Sequence, residues 1–206
     1  MKIKPNFNAF IERSRPRKGD WEFYGNFGVS NYGIGNDENE RHTGWNTQFQ
    51  PTYYINDSFS IYTIFYVERT PQWTLWEGAN LLGTFDEHAQ QLDFGVNWNI
   101  GNQHEIRVKM QALGLDAKLR QAWRAMPDGE TIPTDDPIED FSLSNLGFQV
   151  RYRWEYKPLS YLYVVYGRGG DLFNDFSEGS RDALQDSFDL RDSEQLVVKF
   201  TYRFEL

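Results

Sequence analysis

The sequence predicts an all-β chain of long antiparallel strands, and three observations carry that expectation. Apolar residues return at every second position in segment after segment, the period of a strand with one apolar face. The alternating segments run to roughly 9–13 residues, whereas strands of soluble sheets centre on about 5 or 6. Between them, tight turns and long polar segments alternate strictly, so one end of the sheet carries turns and the other carries loops.

In chain order, a weak segment at residues 3–13 leads into Arg15-Pro16-Arg17-Lys18-Gly19-Asp20, read as a turn from its Pro, Gly and Asp. Residues 21–31 alternate again and end at a polar segment, 33–43. Residues 45–55 and 59–69 form the next two strands, joined at Asn56-Asp57 and followed by a polar segment at 70–89. In residues 91–100, Leu92, Phe94, Val96, Trp98 and Ile100 oppose Gln91, Asp93, Gly95, Asn97 and Asn99 without a fault. Gly101-Asn102-Gln103 turns the chain into residues 104–114, whose polar face holds Glu105, Arg107 and Lys109. The polar segment 115–140 contains a short helical pattern at 117–125. Residues 146–157 set Leu146, Phe148, Val150, Tyr152, Trp154 and Tyr156 against a face with Arg151, Arg153, Glu155 and Lys157. A turn at 157–160 leads to residues 161–168, then to a polar segment at 169–194 in which Ala183, Leu184 and Phe188 predict a short helix over 180–188. The last strand, 196–206, interleaves Leu196, Val198, Phe200, Tyr202, Phe204 and Leu206 with Lys199, Thr201, Arg203 and Glu205. That makes about nine strands in one domain, residues 1–206.

Composition narrows the class. Of 206 residues, 39% are hydrophobic and 17% aromatic, with 7 Trp, 12 Tyr and 16 Phe against 3 Met, so the apolar faces are built largely from rings. No run of about 18 apolar residues is long enough for a membrane helix, and Met1 to Pro5 hold no apolar signal core, so any export signal is expected outside the sequence. The absence of cysteine excludes disulfide scaffolding and thiol chemistry. A net charge of −9 argues against a nucleic-acid partner.

Period two fits a soluble barrel with apolar residues inside and a membrane barrel with them outside. Strand length favours the membrane, since about 9–11 tilted residues cross the hydrocarbon core. So does the division into a turn end and a loop end, the layout of outer-membrane barrels. Rings gather beside the turns as an interfacial girdle requires, at Trp21, Tyr53, Phe59, Trp98, Trp154, Tyr156, Tyr161 and Phe204, with Trp45, Trp73 and Trp76 assigned to the opposite girdle. Lys199, Thr201, Phe204 and Leu206 resemble the terminal signal read by the outer-membrane assembly machinery. These features predict an antiparallel up-and-down transmembrane β-barrel in a bacterial outer membrane, with lipid and lipopolysaccharide around it. Its lumen would be lined by Asp93, Glu105, Arg107, Lys109, Arg151, Arg153, Glu155, Lys199, Arg203 and Glu205. Nine strands with a periplasmic C-terminus leave an odd count, which predicts the C-terminal part of a larger barrel whose missing strands precede this chain. The alternative is a closed eight-stranded barrel over residues 21–206.

Residues 115–122 (Leu115-Asp116-Ala117-Lys118-Leu119-Arg120-Gln121-Ala122), 135–147 (from Asp135-Asp136-Pro137 to Asn145-Leu146-Gly147) and 161–170 (from Tyr161-Leu162-Tyr163 to Arg168-Gly169-Gly170) resemble a bacterial family, domain of unknown function 5916. The likeness spans residues 73–206. It implies a C-terminal outer-membrane barrel that full-length members place after an exported domain similar to carbohydrate-binding family 9. It brings no activity and no site residues.

For chemistry, the sequence offers Asp86-Glu87-His88 with Asp93 as the acid–base set of a rim hydrolase, beside the reading of a solvated loop. No spacing suggests a Ser-His-acid set. Acidic groups at 37–40, at Asp135, Asp136, Glu139 and Asp140, and from Asp171 to Asp192 are candidate contacts for divalent cations or solvated loops, without the spacing of a calcium loop. Arg13, Arg15, Arg17 and Lys18 form a basic patch facing a periplasmic partner or head groups, or simply a charged turn. His104 is expected exposed in its turn. No catalytic set, cofactor or metal centre is assigned. The expected role is solute passage or surface ligand binding, related to carbohydrate by resemblance alone, with an integral-membrane hydrolase and a soluble ligand-binding barrel as alternatives.

Overall fold

A computed structural model of the chain describes residues 7–32 and 42–204. Its strands are β1 (Asn8–Lys18), β2 (Trp21–Tyr32), β3 (His42–Asn56), β4 (Phe59–Gly78), β5 (Leu81–Ile100), β6 (His104–Ala125), β7 (Thr131–Thr134), β8 (Phe141–Lys157), β9 (Ser160–Asn174) and β10 (Ser193–Thr201), with one helix, α1 (Ser180–Ser187). They form a single antiparallel sheet in the order β1-β2-β3-β4-β5-β6-β8-β9-β10, with β7 pairing β6 beside that path. Apart from β7, consecutive strands along this path are neighbours, as hairpin connection requires.

The strands are longer than period two alone indicates. The polar segments 70–89 and 115–140 are largely strand: β4 and β5 run 20 residues each and meet at a tight turn, and β6 runs 22. The helical pattern at 117–125 is a correction, since those residues lie in β6 and pair with β5 and β7. A short amphipathic window has no means to declare itself helix when both neighbouring backbones are free to pair. The helix expected at 180–188 is present as α1. The first turn is only Gly19 and Asp20, so the basic patch belongs to β1; Gly19, like Gly101, takes a left-handed φ that L residues with a Cβ adopt at a cost.

Register settles which residues share a face. Phe65 on β4, Leu92 on β5, Ala112 on β6 and Leu146 on β8 lie in one row, and the rows toward the turns add Phe94, Met110 and Phe148, then Val96, Val108 and Val150. Ring residues of β2 and β3 extend this face through Phe23, Phe27 and Phe49, and Leu196, Val198 and Phe200 end it on β10. Two rows beyond Leu92 the same face turns polar, at Arg69, His88, Asp116 and Ser142. There α1 packs onto it: Gln90 donates to the Ser180 hydroxyl at 3.1 Å, and Asp116 accepts from the Gly179 amide at 3.0 Å. The tightest packing lies in this loop-side half, where Phe85, Ala112, Ala117, Ser142, Ser144 and Ala183 are fully buried.

Among the described residues β1 pairs only β2 and β10 pairs only β9, so the path is open and no β2–β10 pairing closes eight strands. Arg13 and Arg15 of β1 oppose Gly25 and Phe23, which puts two charges on the ring face and takes β1 out of its pattern. Charged side chains on an exposed edge discourage pairing with stray chains.

Candidate functional site

The face opposite the rings is the concave one. A cavity of about 660 Å³ on it is lined from six strands, by residues that include Tyr62 and Ile64 of β4, Asp93 of β5, Lys109 of β6, Gln149 of β8 and Gln195 of β10. One hollow can draw its walls from so many neighbouring strands only if the sheet curls around it. Glycine makes the room: a Cβ on Gly147 would meet nothing within 4 Å, and one on Gly95 would strike the Tyr62 ring.

Below the cavity, toward the turns, three arginines converge on one carboxylate. Glu105 is 5% exposed. It accepts from Arg151 at 2.7 Å and from Arg153 at 3.1 Å and also binds Arg107. Register explains the meeting, because Glu105 opposes Arg153 and Arg107 opposes Arg151 on adjacent strands. The Arg153 guanidinium also lies 5.6 Å from the centre of the Tyr161 ring on β9, and its buried Nε has no partner. Lys199 of β10 continues the row through Tyr163, which opposes both it and Arg153.

The other candidates disperse. Asp93 accepts from Gln91 at 3.0 Å, and Glu155 accepts from the Leu159 amide at 3.0 Å; among the described residues neither pairs with an arginine. Arg203 lies beyond β10, where its amide donates to Ser160; Glu205 and Leu206 lie outside the described residues. Thr201 closes the end of β10 against Tyr161, and Phe204 stands 81% exposed.

Toward the loops the concave face first turns acidic. Glu68 accepts from Tyr66 at 2.6 Å and from Thr70 at 3.0 Å, while Glu87 is buried at 4% exposure with its Oε2 unpaired. Burial pushes the Glu87 carboxyl up to about 7, with the neighbouring Glu68 charge adding to it against a hydrogen bond from Thr70. Beyond it Trp73, Phe85, Phe141 and Phe173 form a ring cluster, with Phe141 centred 5.4 Å from Phe85, 5.5 Å from Phe173 and 6.2 Å from Trp73. Strand alternation hid this cluster, because Trp73 reaches the concave face only through the register shift between Thr70 and Trp73.

That alternation also separates the proposed acid–base set. Asp86 and His88 share the convex face, where Asp86 pairs Arg120 at 3.0 Å, while Glu87 and Asp93 share the concave face, and only Asp93 lines the cavity. His104 is not free in its turn: it starts β6, contacts the Tyr152 hydroxyl at 2.7 Å and stacks on Trp154. Of the rings assigned to girdles, Tyr161 and Trp73 lie on the concave face instead, and Trp76 sits far along β4 at the Ala79 turn. Of the acidic groups, residues 37–40 lie outside the described residues. Asp136 binds Thr134 and Arg124, Asp140 accepts from the Leu119 amide, and Asp192 accepts from the Asp171 amide. Arg17 of the basic patch pairs Asp57 at 2.9 Å and covers the Tyr54 ring.

An antiparallel sheet curled around a charged, polar hollow, with a ring-rich band on the opposite face, defines an all-β protein whose two faces differ in chemistry. Residues 19–205 match the family described as domain of unknown function DUF5916, and the chain belongs to that family. The match reaches further toward the N-terminus than the resemblance read from residues 73–206. No curated protein matches the chain.

Proposed function

We propose that this sheet is the wall of an outer-membrane β-barrel, with rings toward lipid and the charged face toward a lumen that passes or binds a small polar solute. The observation that carries the reading is the bounded height of the apolar face. On β5 it covers residues 92–100 and turns polar at Gln90 in the next row and at His88 in the one after. Nine residues at about 3.3 Å each span roughly 30 Å, and a strand tilt near 40° reduces this to about 23 Å, close to the apolar band of such barrels. A soluble sheet has no reason to leave such a band of rings in water, and within it Phe27, Phe49 and Phe65 are nearly half exposed.

The edges of β1 and β10, unpaired among the described residues, support closure by further strands, an odd number of them if the barrel total is even. A second reading has one observation behind it. Arg13 and Arg15 stand on the ring face at depths where lipid disfavours them, and β10 runs in the direction of β1, so β10 displacing β1 from β2 would close eight strands alone. Fractionation of expressing cells tests the main reading: the protein is expected in detergent-extracted outer membranes, and recovery in the soluble fraction would overturn it. Carbohydrate as the solute rests on the family resemblance alone.

A further inference from the structure

Charge is segregated across the concave face. On β1 to β5 the carboxylates Glu12, Glu22, Glu68 and Glu87 share that face, with Arg17 over the Tyr54 ring as a cation among them. From β6 to β10 it carries Arg107, Lys109, Arg151, Arg153 and Lys199, against Glu105 and Glu155 on the same strands and Asp93 beside them on β5. This basic wall belongs to a chain of net charge −9, so it is not a by-product of composition. One carboxylate, Glu105, neutralises one of the three guanidiniums that bind it, and the buried Nε of Arg153 still lacks an acceptor. Lys109 stands between this cluster and the cavity it helps to line; the lining also holds Arg168 and one carboxylate, Asp93, while Gln111, Gln149, Gln195 and Ser193 supply neutral hydrogen-bonding groups.

We propose that the β6–β8–β10 wall with the cavity above it is a binding site for a small polar organic anion, a carboxylate or phosphate ester of a hydroxylated solute. Planar guanidiniums favour both groups, and the amides and hydroxyls suit the rest of such a molecule. Polar anions and not cations are selected because the excess charge lies on the wall that forms the cavity. The inference uses the proposed function only for which face is the interior.

Isothermal titration on the intact, membrane-extracted protein in detergent tests it, with glucose 6-phosphate, gluconate and glucose as probes. Both anions are expected to bind, more weakly as salt rises, and glucose is not. The Lys109→Gln/Lys199→Gln pair leaves the Glu105 ion pairs in place and is expected to weaken anion binding about fivefold, whereas Lys109→Arg/Lys199→Arg preserves it. Binding of glucose as tight as that of the anions, failure of both anions to bind, or equal affinity in the two double variants would overturn the proposal. Recovery of the protein from the soluble fraction with anion binding intact would instead remove the membrane reading and leave this one standing.

Discussion

Gly114 of β6 and Leu184 of α1 meet backbone to backbone: a Cβ on Gly114 would fall 2.7 Å from the Leu184 Cα and overlap its amide nitrogen and the Ser180 carbonyl. The helix is therefore seated on a glycine in the row just above the apolar band, beside Gln90 and Ser144.

Gly114→Ala is expected to lift α1 off the sheet, because neither side of the contact is a flexible side chain. Overpacking of this kind costs about 1–3 kcal/mol. Hydrogen exchange at the amides of residues 183–188 reads it: protection there falls while β6 stays protected. Unchanged protection would mean that α1 does not depend on this seat.

Much of this was legible in the sequence. Period two located the strands, and the alternation of Leu92 to Ile100 and of Leu146 to Tyr156 assigned their faces correctly. Charge type on alternating positions likewise put Glu105, Arg107, Arg151 and Arg153 on one face, but only register brings three guanidiniums to one carboxylate. The loop-side half was illegible for a physical reason. There the convex face is polar at Asp86, His88, Asp116 and Ser142 while the concave face is aromatic at Phe85, Phe141 and Phe173, so the polarity cue reverses, and register shifts at Thr70/Trp73 and Thr84/Phe85 break its phase.

Arginine at single positions tests the facing. Val150→Arg and Phe94→Arg place a charge on the ring face within the band and are expected to block assembly, at about 2–4 kcal/mol each. Gln149→Arg joins the basic cavity wall and is expected to assemble. Outer-membrane yield of the three variants is the measurement, and equal yields would contradict the assignment.

The Glu105 cluster predicts coupled effects. Glu105→Gln alone leaves three arginines with a neutral acceptor, and Arg151→Gln alone leaves the carboxylate two partners, so Glu105→Gln is expected to be the more destabilising. In a double-mutant cycle by urea unfolding, the pair is expected to be non-additive by about 1 kcal/mol or more. Additivity would show that the ion pair contributes little.

Glu87, on β5 beyond the apolar band, predicts a pH dependence. Its folded-state carboxyl is held up at about 7 by burial, above the ordinary value of 4.5. The native state therefore holds this proton more tightly than the unfolded chain. The stability it contributes is complete below about 4.5 and is lost as pH rises to about 7. Unfolding midpoints of the wild type are expected to fall across that window, and those of Glu87→Gln to fall less. Parallel curves would place the titration elsewhere.

The chain has no cysteine, so single cysteines can be introduced along residues 92–100 and spin-labelled without background. Collision rates with molecular oxygen, which concentrates in lipid, and with a water-soluble nickel chelate then read the surroundings of each position in the reconstituted protein. Labels at Leu92, Phe94, Val96 and Trp98 are expected to favour oxygen, and those at Asp93, Asn97 and Asn99 to favour nickel, in alternation. Nickel access at every position, or the opposite alternation, would contradict a membrane wall with its rings toward lipid.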